Sequence, residues 1–138
     1  MSRNAGITRI GPILKQNEAL ADATLAQAQP LIVTATRHVG HHQTRNRGTI
    51  GGSVALGEPA AEMPACAVAL NATIEIASVR GTRSVKAREF YIGPYMTALE
   101  PDELVTGIIY PDWPEGHLVL FREVARRHGD FAILALAA

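Results

Sequence analysis

Residues 45 to 53, RNRGTIGGS, place three glycines, two hydroxyl side chains and two arginines in nine positions. A turn needs one or two glycines and gains nothing from so dense a mixture of backbone freedom, donors and positive charge. The stretch must bend the chain, admit something close to its backbone, or do both. Gly48, Gly51 and Gly52 allow backbone N–H groups to point into one concavity, where Cβ atoms would otherwise keep a phosphate out. Thr49 and Ser53 add hydroxyl donors, and a helix beginning soon afterward would add the positive end of its dipole. A pyrophosphate suits that set, and a ligand-free tight turn explains the glycines as well on composition alone. Two familiar phosphate motifs are excluded. Ser53 and Val54 follow Gly52 where a P-loop needs Lys then Ser or Thr, and no Gly-x-Gly-x-x-Gly is present.

The rest of the chain supplies the setting. Its 138 residues suit one domain with a real core. Basic and acidic residues balance at 13 each, so no global field draws nucleic acid or an anionic membrane, and any charge-based function is local. The single cysteine, Cys66, excludes an internal disulfide and an iron–sulfur cluster held within this chain. No apolar run approaches a membrane span and MSRNAGITRI lacks a secretory core, which predicts a cytoplasmic protein without a membrane span.

ITRIG reads as a short strand, and residues 12–30 have helical composition, with Pro12 near the start and Pro30 interrupting the run. Leu31, Ala35, His38 and Val39 form a helical stripe ending at Gly40, which places the glycine-rich stretch in a loop after a helix. Met63, Cys66, Ala67 and Leu70 share a face of a short helix that tolerates Pro64 in its first turn and puts Glu62 at its N-terminus. ATIEIASV and RSVKA read as a β-hairpin, REFYIGPY as an aromatic turn. DELVTGIIYP and HLVLFREVA read as strands joined by PDWPEG, and DFAILALAA stays apolar to the last residue, as if ending in mid-element. Helices with antiparallel strands and hairpin chemistry predict an α+β fold with a mainly antiparallel sheet flanked by helices.

Several motifs, in order, resemble one family: TRNRGTIGGS with EPAAEMPA, then GTRSVKAREFYIGPYMTALEPDELVTGIIYP and FREVARRHGDFAI. Together they are similar to the FAD-binding medium subunits of molybdenum hydroxylases, the family of carbon monoxide dehydrogenase medium subunits and xanthine dehydrogenase flavin domains. The resemblance covers about Ile7 to Ala138. It implies the second lobe of a PCMH-type FAD-binding domain over residues 1–115 and the start of the C-terminal domain over 116–138. The first lobe, with its own glycine loop, is expected to be missing, as is the remainder of the C-terminal domain. The resemblance further implies an FAD-dependent oxidoreductase subunit. Electrons would pass from a molybdenum-cofactor large subunit and a 2Fe–2S small subunit through FAD to an external acceptor. A further chain supplying the first lobe is a possible partner.

By the same similarity, Thr49, Ile50, Gly51, Gly52 and Ser53 line the FAD phosphates, Val39 packs nearby, and Glu62 binds the nucleotide half. Val105 lies by the isoalloxazine ring and Arg122 near its pyrimidine end. Leu56 and Glu58 stand where the family commonly has His and Asp. The alternative is a non-catalytic binding or assembly module, or a truncated remnant, that no longer holds FAD by itself.

Other residues carry competing readings. His38 and His42 are four apart, but Gly40 is expected to end the helix between them and no acid or cysteine completes a metal set. Arg45 and Arg47 either contact phosphate or brace neighbouring carbonyls, with bracing favoured. Arg126, Arg127 and His128 lack the interleaved aromatics of a nucleic-acid platform. Cys66 reads as an inert buried thiol, and Asp102 and Glu103 as a polar turn. No catalytic side chain is expected, because the chemistry belongs to the flavin.

Overall fold

The computed structural model describes residues 1–4, 6–114 and 116–138. Glu115, in the PDWPEG connection and at the expected domain boundary, lies outside the described residues.

The alternation legible in ATIEIASV builds the centre of the sheet. In β3 (Thr73–Ser78), Ile74 and Ile76 are fully buried while Thr73 and Glu75 face the other way. It pairs antiparallel with β4 (Gly81–Lys86), Ser78 opposite Gly81, which leaves Val79 and Arg80 as a two-residue turn. On its other edge β3 meets β7 (Leu104–Pro111), which in turn pairs with β2 (Ile7–Ile10), and β1 (Ser2–Asn4) closes the order β1-β2-β7-β3-β4. Every pairing in this sheet is antiparallel, which agrees with the expected α+β architecture. Ile10, Ile74, Ile76, Ile108 and Tyr110 form its buried face, and the other face carries an Arg9–Glu75 ion pair of 2.6 Å. Gly107 lies directly beneath that pair, and a Cβ there would run into the Glu75 carboxylate.

The helices cover the buried face, and here the sequence reading needs correction. The expected long helix begins at Gln16 rather than Pro12 and divides into α1 (Gln16–Ala21) and α2 (Ala23–Ala28). Asp22 causes the division: it adopts an extended backbone, and its carboxylate accepts the Leu25 amide at 3.0 Å as the N-cap of α2. Pro30 does not interrupt a helix but opens α3 (Pro30–Thr36) at its first position, where a missing N–H costs nothing. That helix ends at Thr36, and a tight turn continues to Gly40, whose φ of +43° is the left-handed conformation expected of a terminator.

The glycine-rich stretch is not a loop. It forms α4 (His42–Arg47), a two-residue break at Gly48 and Thr49, and α5 (Ile50–Leu56), which Gly57 ends with φ +66°. Next comes α6 (Glu62–Ala69), with Met63, Cys66, Ala67 and Leu70 buried on one face as expected. REFYIGPY holds a short α7 (Ala87–Phe90) and β5 (Tyr91–Gly93), which pairs with β6 (Met96–Thr97). The last segment does pair: β8 (Phe121–Val124) and β9 (Leu134–Ala137) make a separate antiparallel hairpin against α3 and α6.

Gly51 shows why the α5 glycines are required. A Cβ at Gly51 would sit 2.5 Å from both Cα and O of Pro12, whereas one at Gly52 would meet only the Thr49 hydroxyl, at 2.8 Å. Gly51→Ala is therefore expected to lower unfolding stability by about 2–3 kcal/mol through overpacking against backbone. Gly52→Ala should cost about 1 kcal/mol, the value of the displaced cap. Urea denaturation of the two variants checks the order.

Candidate functional site

The residues around the α4–α5 break converge on a cleft of about 600 Å³. One wall comes from Arg47, Gly48, Thr49, Gly52, Ser53 and Leu56, and Gln16 lies behind Gly48. Val39, Gly40 and His41 contribute a second side, Glu58, Ala61 and Glu62 a third, and Gly129, Asp130 and Phe131 from the β8–β9 turn close over them. Gly129 permits that approach: at φ +86° its missing Cβ would stand 3.0 Å from the Gly40 carbonyl. Most of the lining side chains are polar or charged, while Val39, Leu56, Ala61 and Phe131 supply apolar surface, a mixture that suits a small ligand with both charged and flat parts.

Five of the nine residues expected at a flavin site, Val39, Thr49, Gly52, Ser53 and Glu62, line this cleft. The other four do not. Ile50 is fully buried in the core, and Gly51 is buried against Pro12. Val105 is on β7 opposite Ile76, packed at the edge of the core. Arg122 is exposed on β8, where strand alternation turns Phe121 and Glu123 inward and Arg122 outward. Glu123 is the β8 side chain that faces the interior, 3.3 Å from His38 Nδ1.

The backbone N–H groups expected to form a cradle have partners within the chain. The Ile50 amide donates to Leu14 O at 2.9 Å, the Gly51 amide to Pro12 O at 3.1 Å, and the Gly52 amide to Thr49 Oγ1 at 2.9 Å. The donors left for a ligand at this end are side chains: the Thr49 hydroxyl proton, the Ser53 hydroxyl and the Arg47 guanidinium. Gly52 remains exposed, so no Cβ covers the polar patch between Thr49 and Ser53. An anionic, partly aromatic ligand such as FAD fits this combination of side-chain donors, open backbone and apolar wall.

The arginines divide their roles. Arg45 braces the preceding turn, its guanidinium donating to Val39 O at 2.8 Å and Gly40 O at 3.1 Å. Arg47 enters the cleft instead. At the other end of α5 stand the carboxylates of Glu58 and Glu62. Glu58 is held by the Ala60 amide at 3.0 Å, and its second oxygen is buried with no partner among the described residues. Burial, with a smaller contribution from the charge of Glu123, pushes the Glu62 carboxyl up to about 7. Burial likewise pushes the Cys66 thiol up, as an inert core residue requires. Asp102 pairs with Arg80 at 2.7 Å, and Glu103 pairs with Arg83 at 2.6 Å and lies 4.0 Å from Arg80. The histidines separate too: His42 contacts Asn46 at 3.1 Å while His38 meets Glu123.

The family model for the FAD binding domain in molybdopterin dehydrogenase matches residues 1–113. The chain belongs to that family. Over 129 residues it is 40% identical to the nicotine 6-hydroxylase medium subunit of Paenarthrobacter nicotinovorans, covering 94% of this chain and 45% of that protein. Quinoline 2-oxidoreductase from Pseudomonas putida 86 superposes with a TM-score of 0.92 at 40% identity, over 97% of this chain and 46% of that one. Carbon monoxide dehydrogenase from Hydrogenophaga pseudoflava superposes at 0.96 and 31% identity, over 99% and 47%. The chain thus spans about half the length of the relatives it matches. Among the described residues, no helix is long and apolar enough to cross a membrane.

Sequence reasoning on this FAD-binding domain missed Gln16, His41, Asp130 and Phe131 as cleft residues. Gly129 before Asp130 was the one available signal of a tight turn, and nothing local says that the turn reaches back to Gly40. Glu62 supplies a pH test. Because its folded value is raised from 4.5 to about 7, its protonated form stabilises the fold fully below 4.5, and that contribution is lost as pH rises toward and through 7. Glu62→Gln is expected to flatten the decline in urea midpoint across this window, while the parent chain loses stability there.

Proposed function

We propose that this chain forms the flavin-holding part of a molybdenum-hydroxylase type oxidoreductase, with FAD seated in the α5 cleft. One observation carries the reading: Val39 after α3, Thr49, Gly52 and Ser53 at the start of α5, and Glu62 on α6 meet at a single cleft. When bound, FAD supplies the redox chemistry, accepting electrons at its ring system and passing them on. The chain's own residues bind and orient. Thr49 and Ser53 hold phosphate oxygens by their hydroxyls, Val39, Leu56 and Phe131 exclude water from flat rings, and Glu62 meets the nucleotide half as a carboxyl that is half protonated near neutral pH. Val105 and Arg122 lie outside this cleft.

In the proposed assembly, electrons arrive from a molybdenum-cofactor subunit through a 2Fe–2S subunit and leave to an external acceptor, in the cytoplasm. Residues 1–115 act as the second lobe of the FAD domain and 116–138 as the opening of the next one. The end of the family match at residue 113 and the separate pairing of β8 with β9 support that division. A second reading, an assembly module without flavin, draws support from the bonded first-turn amides of α5 and from the exposed apolar side chains of Ile133, Leu134 and Leu136.

Titration of the chain with FAD, followed by flavin fluorescence, separates the two. Saturable binding at micromolar affinity or tighter, lost in Gly52→Asp, is the expected outcome. Absence of binding up to millimolar FAD favours the assembly module.

A further inference from the structure

The cleft is short of positive charge. Among the described residues, three carboxylates line it, Glu58, Glu62 and Asp130, and Arg47 is the only lysine or arginine that does. The amides at the start of α5 offer no compensation, since the carbonyls of Leu14 and Pro12 and the hydroxyl of Thr49 already take them. Arg45 is committed to Val39 and Gly40. Arg47, by contrast, is exposed and pairs with no carboxylate among the described residues.

Arg47 is the last residue of α4, and Gly48 separates it from the Thr49 cap. The Gln16 side chain, 5% exposed, lies where a Gly48 Cβ would be, 2.6 Å from Oε1, so Gly48 is needed to seat it. That Oε1 has no partner among the described residues, and Gln16 also lines the cleft. A buried amide, two hydroxyls and one guanidinium therefore gather at the N-terminal end of α5. The acids Glu58 and Glu62 follow its C-terminal end, about 10 Å away by the helical rise over seven residues.

We propose that Arg47 is the residue that binds the pyrophosphate of the dinucleotide. The assignment rests on the flavin reading of the same cleft. A guanidinium presents several N–H donors in a plane and grips two phosphate oxygens at once, which neither hydroxyl can do. In a cleft with three carboxylates, it also offsets the repulsion that would otherwise meet a doubly charged ligand. Because Arg47 is exposed, its contribution is screened by salt, so affinity for phosphate-bearing ligands falls as ionic strength rises.

The test compares three probes on the same chain: FAD, ADP and riboflavin, which has the ring system and no phosphate. Arg47→Gln is expected to weaken FAD and ADP roughly 10- to 100-fold, to leave riboflavin unchanged, and to remove most of the salt dependence. Arg47→Lys should recover part of the loss, and inorganic pyrophosphate should compete with ADP on the parent chain but not on the Gln variant. Retention of FAD and ADP affinity within about twofold in Arg47→Gln, while the parent binds FAD, overturns this assignment alone. An equal loss of riboflavin overturns it as well, by showing that the substitution damages the cleft. If the parent binds none of the three probes, the assignment and the flavin reading fall together.

Discussion

The chain from Pro12 to Gln16 lies directly against the first turn of α5, and the site depends on that contact. Ile50 and Gly51 donate to the carbonyls of Leu14 and Pro12, Gln16 donates to Gly48 O at 2.9 Å, and Lys15 bridges to Thr49. Glycine at 51 is the condition for this approach, since any side chain would enter the Pro12 backbone. The contact fixes where α5 begins, and so where Thr49, Gly52 and Ser53 present their polar groups. It also consumes amides that a helix start would otherwise offer an anion, which shifts phosphate binding onto side chains.

The parts of the fold governed by local periodicity were legible in the sequence. Ile74 and Ile76 alternate with polar neighbours because a strand has two faces, and Met63, Cys66, Ala67 and Leu70 repeat at helical spacing because α6 has one. Residues with two physical meanings were misread. Pro30 can break a helix or open one, and only its context after the buried Gln29, whose side chain donates to Pro111 O at 3.0 Å, decides for opening. Glycines 51 and 52 suggest a loop when read as flexibility, yet Gly51 is present for close packing inside a helix.

The candidate site divides in the same way. Motif resemblance pointed to the stretch from Thr49 to Ser53 and to Glu62, but contact with the cleft is decided residue by residue through helix phase and strand face. Ile50 turns into the core, and β8 turns Glu123 rather than Arg122 inward. Phe131 and Asp130 enter only through tertiary folding of the β8–β9 turn onto Gly40, more than eighty residues earlier in the chain. The result is a polarised cleft, with one arginine and two hydroxyls at one end of α5 and carboxylates at the other. That polarity suits a ligand that carries its negative charge locally and its rings elsewhere.

The most direct test of this account is residue-resolved mapping of FAD on the chain by amide chemical-shift perturbation. The cleft predicts shifts clustered at Val39–His41, Arg47–Ser53, Glu58–Glu62 and Gly129–Phe131, with little change at Val105 or along the outward face of β8. Perturbations centred on Val105 and Arg122, with the α5 segment silent, would contradict it.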